Sequence, residues 1–303
     1  MNNKKPKIQI IGGPCSAETE DQVLRLAIWA KKLGWIRFRA GLWKPRTRPG
    51  FFEGVGDKGL SWLKAAQDAS GVPTMTEVAT PRQAEKVLET GLNGFWIGAR
   101  TTVNPFYVQE IVEVIKGTDT EVWIKNPIHP DLNSWIGAIE RFSSAGLKNI
   151  GAIHRGFFVF RTSDLRNSPV WSIPLGLKKH FPELPVFCDI SHIAGKSERL
   201  PMVLRHALHL NFSGIMAEIH EDPVCALTDS EQQIKPDFFS EMIDEIQNND
   251  FKGKESMSNR MMKSEKGQWF EAIDLEIQRL QKIQDDIPNQ MDELISHLRI
   301  DKK

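Results

Sequence analysis

Short apolar, β-rich runs alternate along the chain with longer stretches in which apolar residues recur every three or four positions. The first pairs are IQIIGG with Thr19 to Leu33, WIRFRA with Lys58 to Ser70, and PTMTEV with Pro81 to Thr90. GFWIGAR precedes a predicted helix near Pro105 to Lys116, EVWIKN one near Leu132 to Ala145, and NIGAIHRG one near Pro169 to His180. PVFCDI and SGIMAEI bring the strands to eight, with helices near Glu198 to Leu210 and Asp237 to Gln247. Strands apolar on both faces belong in a sheet covered on both sides. Eight strand–helix units at roughly thirty-residue spacing are the pattern of a closed parallel barrel. A doubly wound open sheet is the alternative. The predicted class is therefore α/β, a (β/α)8 TIM barrel over residues 1–247 with a C-terminal helical extension.

The pattern changes after the last predicted barrel helix. Residues 248–267 are polar, rich in Lys, Glu, Ser and Asn, and lack a strand pattern, so they read as a linker. In the tail, 268–303, Phe270, Ile273, Ile277, Leu280, Ile287, Met291, Leu294 and Leu298 recur in steps of three and four, with Gln284 on the same seam. Pro288 interrupts this stripe, since proline removes a backbone donor and clashes with the preceding turn at a cost of about 3 kcal/mol. Asp285 and Asp286 before it could start a second short helix. An isolated amphipathic helix of this length is marginal in water, so the seam is expected to be buried against the barrel, a second copy or a partner.

Composition narrows the partners. Lys plus Arg equals Asp plus Glu at 39 each, so no global field recruits nucleic acid or an anionic membrane, and any anion site must be local. No run of eighteen apolar residues suggests a membrane span, and MNNKKPKIQI leads into a strand rather than a signal peptide's apolar stretch. A cytoplasmic location is expected. The three cysteines, Cys15, Cys188 and Cys225, lack C-x-x-C spacing, and a core built with 40% apolar residues leaves little need for disulfides. Each thiol is therefore free to be a ligand or a filler.

In a barrel of this kind the active site lies at the carboxyl ends of the strands. The residues there are unusually polar: Cys15, Arg39 with Lys44, Glu77, Arg100, Lys125, Arg155, Asp189 with His192, and Glu218. Five cations, Arg39, Lys44, Arg100, Lys125 and Arg155, converge on one mouth of a chain with no net charge, which points to a substrate with several negative charges, such as phosphates. Any one of them alone would pass for a solvated surface cation. A second set, Cys15, His192, Glu218 and Asp229, mixes thiolate, imidazole and carboxylates and suits a borderline divalent transition ion. A lone buried cysteine is more often a small hydrophobe than a ligand; shared membership of one barrel mouth is what raises Cys15 above that.

The segments GPCSAE at 13–18, RAGLWKPRTRP at 39–49, TEV at 76–78, IGAR at 97–100, HRG at 154–156, DISHIAG at 189–195, AEIH at 217–220 and ALTDSEQQI at 226–234 resemble the 3-deoxy-D-arabino-heptulosonate 7-phosphate (DAHP) synthases. The similarity is to their short bacterial type I beta branch, of the kind often fused to chorismate mutase, and runs from about Ile8 to Ile246. KPRT at 44–47 is its most specific element, because the related 3-deoxy-D-manno-octulosonate 8-phosphate synthases share barrel and metal set but carry a KANRS-like segment there. Departures are Asp189-Ile190-Ser191-His192 where DPSH is usual and Lys125-Asn126-Pro127 where a lysine-arginine-glycine run is common. His154 replaces a frequent glutamate and is assigned no catalytic role.

The resemblance implies an aldol-type condensation of phosphoenolpyruvate with D-erythrose 4-phosphate, the first step of the shikimate pathway to the aromatic amino acids. It implies a divalent metal (Mn, Co, Fe or Zn) on Cys15, His192, Glu218 and Asp229, with Cys15, His192 and Lys44 at the chemistry. Arg39, Lys44, Arg100, Lys125 and Arg155 would contact phosphoenolpyruvate, and Arg46 and Thr47 the aldose phosphate. Glu77 would tune the cations or simply pair with a lysine. A homo-oligomer, dimer or tetramer, is expected. The tail is too short for a complete chorismate mutase, so no mutase activity is expected of this chain. The rival readings are octulosonate 8-phosphate synthesis and an inactive scaffold acting through its tail.

Overall fold

The computed structural model describes residues 8–44, 46, 48–160 and 164–248. Thr47, the linker beyond Asn248 and the tail at 268–303 lie outside the described residues. Eight strands form a closed barrel in sequence order: β1 (Gln9–Gly13), β2 (Arg37–Arg39), β3 (Thr74–Val78), β4 (Gly94–Ile97), β5 (Glu121–Lys125), β6 (Ile150–His154), β7 (Val186–Asp189) and β8 (Gly214–Glu218). Every neighbouring pair is parallel, and β8 closes on β1 with Gln9 opposite Gly214 and Gly13 opposite Glu218. An open doubly wound sheet is thereby excluded.

The helices are α1 (Glu20–Leu33), α2 (Lys58–Ser70), α3 (Pro81–Thr90), α4 (Ala99–Thr102), α5 (Pro105–Ile115), α6 (Leu132–Ser144), α7 (Ser172–His180), α8 (Ile190–Ala194), α9 (Leu200–His209) and α10 (Pro236–Asn248). Their ends follow local chemistry. The Thr19 and Thr80 side chains accept from the N–H groups of Gln22 and Gln83, and Gly34 and Gly91 close α1 and α3 in the left-handed region. Two predicted helices start later than their patterns suggest. Val170 sits at φ 37 and breaks the backbone before α7. A 3-10 turn over Ser197–Arg199 precedes α9, whose first turn holds Pro201. The short helices α4 and α8 follow β4 and β7 directly, too brief to show a period in the sequence; they carry Arg100 and His192.

Strand alternation positions the site. Ile11, Met75, Trp96, Trp123, Ile153, Phe187 and Met216, from seven different strands, pack into one buried cluster inside the barrel. Side chains two residues further along a strand point the same way. That second inward layer holds Glu77, Lys125, Arg155, Asp189 and Glu218, joined by Arg39 at the end of β2. The apolar layer is thus a floor, and the polar layer above it is the mouth. His154 falls on the opposite, helix-facing side of β6, buried among Trp135, Phe157, Trp171 and Phe212. Burial pushes its pKa down to about 3, so the ring is neutral.

Candidate active site at the barrel mouth

Cys15 follows β1 directly, and the chain reaches it only because residue 13 is glycine. At Gly13 φ is 145, and a Cβ there would sit 2.0 Å from the Arg39 carbonyl oxygen. The loop is then fixed by donation from Cys15 N–H to Gln233 Oε1 at 3.0 Å and from Ala17 N–H to Gly41 O at 2.9 Å. This brings Cys15, Glu218 and Asp229 together, with one ligand atom from each lying within 4.8 Å of the others. Asp229 is held by a left-handed backbone, φ 49 and ψ 39, uncommon for a non-glycine residue.

Each member of this cluster faces a cation. Arg39 Nη1 donates to Glu218 Oε1 at 2.8 Å, with side-chain exposures of 1% and 0% that make the pair fully internal. Lys44 Nζ lies 3.0 Å from Cys15 Sγ, and Arg166 Nη1 lies 3.1 Å from Asp229 Oδ1. Burial, reinforced by Glu218, pushes the Cys15 thiol up to about 12, so the thiol is protonated at neutral pH, and a metal held there would have to displace that proton. Glu218 stays ionised well below the usual carboxylate range: burial opposes its charge, but His192, protonated in the acid range where Glu218 titrates, together with Arg39 and Lys44, outweighs it. A soft sulfur and two ionised oxygens, offset by three cations, fit a divalent transition ion.

His192 stands beside this group rather than inside it. Its Nδ1 is 3.8 Å from Glu218 Oε1 and 2.9 Å from Asp189 Oδ2, while Asp189 Oδ1 accepts from the His192 backbone N–H at 3.1 Å. The Nδ1 contact is close but poorly aligned, for that nitrogen has no hydrogen-bond partner. Asp189 also accepts from Lys125 Nζ at 3.0 Å. Burial lowers the His192 pKa and favours the neutral ring.

The remaining predicted residues distribute unevenly. Arg39 and Lys125 lie over the Trp96 ring, 4.7 and 5.7 Å from its centroid. Trp96 Nε1 donates to Glu77 Oε2 at 3.0 Å, and among the described residues Glu77 forms no ion pair with a lysine. Gly98 makes room for it: a Cβ there would lie 2.2 Å from Glu77 Oε1. Arg155 is half-buried in the mouth layer, whereas Arg100 is exposed on α4. Arg46 donates from Nε to Phe52 O at 2.8 Å, within its own loop. An open cleft of about 550 Å³ runs past Arg166, Lys196, Arg199, Asp229 and Gln232.

Several residues that sequence reading did not single out complete the mouth. Gln232 donates to Glu218 Oε2 and accepts from Arg166 Nη1, and Asn126 and Asn167 hold Arg155. The signals available were the Gln232-Gln233 pair three residues past Asp229 and the Asn126 departure after β5.

Such a barrel, with buried Arg39 and Lys125 and half-buried Lys44 and Arg155 at the mouth that also holds a sulfur and carboxylate cluster, has the form of an enzyme for small anionic substrates. Its family is identifiable: a model described as the DAHP synthetase I family matches residues 1–253, and the chain belongs to that family. The phospho-2-dehydro-3-deoxyheptonate aldolase of Thermotoga maritima is 28% identical over 237 residues, 78% of this chain and 68% of that protein. A 2-dehydro-3-deoxyphosphooctonate aldolase of Trichlorobacter lovleyi is 28% identical over 242 residues, 74% of this chain and 86% of that protein. The crystal structure of the T. maritima DAHP synthase superposes with a TM-score of 0.71 at 28% identity, covering 80% of this chain and 68% of that one. Among the described residues no helix is long and apolar enough to cross a membrane.

Proposed function

We propose that the mouth condenses phosphoenolpyruvate with D-erythrose 4-phosphate and water, giving 3-deoxy-D-arabino-heptulosonate 7-phosphate and phosphate. The observation that supports this reading is the second inward layer, in which Arg39, Lys125 and Arg155 share the mouth with Glu218, itself a member of the cluster of Cys15, Glu218 and Asp229. Cys15, Glu218 and Asp229, with His192 adjacent, would hold a divalent ion, which when bound supplies a Lewis acid for the aldehyde oxygen. The chain's own residues do the rest. Arg39, Lys44, Arg100, Lys125 and Arg155 bind the phosphate and carboxylate of phosphoenolpyruvate and orient its third carbon toward the aldehyde. Lys44, whose Nζ donates to Cys15 O and lies 3.0 Å from Cys15 Sγ, would neutralise developing charge and pass a proton. Arg46 and Thr47 hold the aldose phosphate. Water adds at the second carbon, and the phosphate of phosphoenolpyruvate departs.

KPRT at 44–47 favours erythrose 4-phosphate over arabinose 5-phosphate as acceptor. A competition assay with both aldoses, manganese and limiting phosphoenolpyruvate tests this directly. The seven-carbon product should dominate, and a predominantly eight-carbon product refutes the assignment. Release of no phosphate with either aldose after metal reconstitution supports the scaffold reading instead.

A further inference from the structure

Two of the buried mouth cations are neutralised where they stand, Arg39 by Glu218 at 2.8 Å and Lys125 by Asp189 at 3.0 Å. Arg155 is held differently. Its backbone N–H donates to Asn126 Oδ1 at 2.6 Å, and its Nη1 donates to Asn167 Oδ1 at 2.9 Å and to Gly156 O at 3.4 Å. Among the described residues no carboxylate lies within ion-pair distance of it.

The two amides are themselves anchored. Asn126 Nδ2 donates to Pro127 O and to Gly156 O, both at 2.8 Å, and Asn167 Nδ2 donates to His192 O at 2.7 Å. Both side chains are buried, at 0% and 6% exposure, so neither can swing aside into solvent. Gly156 has φ 75, and a Cβ there would press to 2.8 Å against Asn167 Cβ, so the turn after Arg155 is shaped around the second amide. An amide oxygen fixes the direction of a guanidinium but carries no charge, whereas a carboxylate fixes it and cancels it. Burial, with Arg166 and Arg100 nearby, pulls Arg155 down only to about 10, so it remains a cation at neutral pH.

We propose that Asn126 and Asn167 are positioning residues that aim Arg155 into the mouth while leaving its charge free for a phosphate monoester dianion. Asn167 also ties the same arginine to the backbone of His192, linking the anion site to the edge of the metal cluster. The inference rests on the reading of Arg155 as a phosphoenolpyruvate contact.

The test is phosphoenolpyruvate binding to the full manganese-loaded chain by calorimetry, with KM for each substrate, manganese content and Tm measured alongside. Asn167→Asp keeps the acceptor but adds a negative charge, so its Kd for phosphoenolpyruvate should rise about thirtyfold with manganese retained. Asn167→Ala should raise Kd by about fivefold, and Asn126→Ala by about tenfold, with KM for the aldose unchanged. Arg155→Lys keeps a point charge without the fork and should lose about tenfold, falling between wild type and Arg155→Ala. In an Arg155→Ala background, Asn167→Asp should add no further loss. A merely structural role predicts the reverse order, with N167D near wild type and N167A worst; that order, or a wild-type R155K, overturns the clamp. If Arg155→Ala itself binds phosphoenolpyruvate normally, the reading of Arg155 falls instead.

Discussion

Replacing Arg39 by methionine should destabilise the metal-free barrel by about 3 kcal/mol, because it strands a buried charge. The side chain fills similar space, so packing over Trp96 is largely retained. What disappears is the 2.8 Å pair with Glu218 and the 3.0 Å donation to Cys15 O. Removing one partner of a buried pair costs about 3–5 kcal/mol. The lower end applies because Glu218 keeps Gln232 on Oε2, the Ser191 hydroxyl on its backbone N–H, and His192 at 3.8 Å. For a domain of this size, about 3 kcal/mol corresponds to a Tm lower by about 6–12 °C. The pH dependence gives the sign. In the wild type Glu218 has a folded pKa below its unfolded value, so its contribution is present above roughly pH 4.3 and lost as pH falls. Without Arg39 the effect of burial is less opposed, and the folded pKa rises. The gap between the proteins should therefore be widest at pH 7–8 and narrow toward pH 5 as Glu218 of the variant protonates. Urea and thermal unfolding of chelator-treated protein at several pH values measures it. Arg39→Met with Glu218→Gln should recover about 2 kcal/mol. A gap independent of pH, or a double variant no more stable than the single one, refutes the reasoning.

Exhaustive chelation should abolish condensation, and manganese or cobalt should restore it. Metal analysis should show Cys15→Ser depleted and Cys188→Ser and Cys225→Ser replete, since Cys188 is buried on the outer side of β7 and Cys225 is exposed. Steady-state kinetics should separate the cations: Arg155→Ala or Arg100→Ala raises KM for phosphoenolpyruvate, and Arg46→Ala that for the aldose phosphate, each by about ten- to a hundredfold. Gly98→Ala should cost about 1.5–3 kcal/mol in unfolding experiments by displacing Glu77 from Trp96, and less than about 1 kcal/mol when Glu77 is already alanine.

Much of the fold was legible because the barrel repeats one unit, a strand apolar on both faces followed by an amphipathic helix. Several helix ends were written locally, among them Thr19, Thr80, Gly34 and Gly91. The candidate site was legible at coarse grain for the same reason: strand ends mark the mouth, and polar residues there stood out against apolar strands. Chain positions as remote as Cys15 and Asp229 meet because β1 closes on β8, which the eightfold pattern implied but could not dimension.

Only the tertiary structure decided which cations are neutralised and which are free. Arg39, Lys125 and Arg155 look alike in sequence, yet Glu218 and Asp189 take the first two while neutral amides hold the third. That difference depends on barrel stagger and on side-chain distances of a few ångströms, which no residue spacing encodes. The same is true of Asn126, Asn167 and Gln232. Single polar residues in loops have no period, and their roles arise only when elements distant in the chain close around them. Sequence determined the barrel and the kind of chemistry at its mouth; packing determined where its charge is left uncompensated.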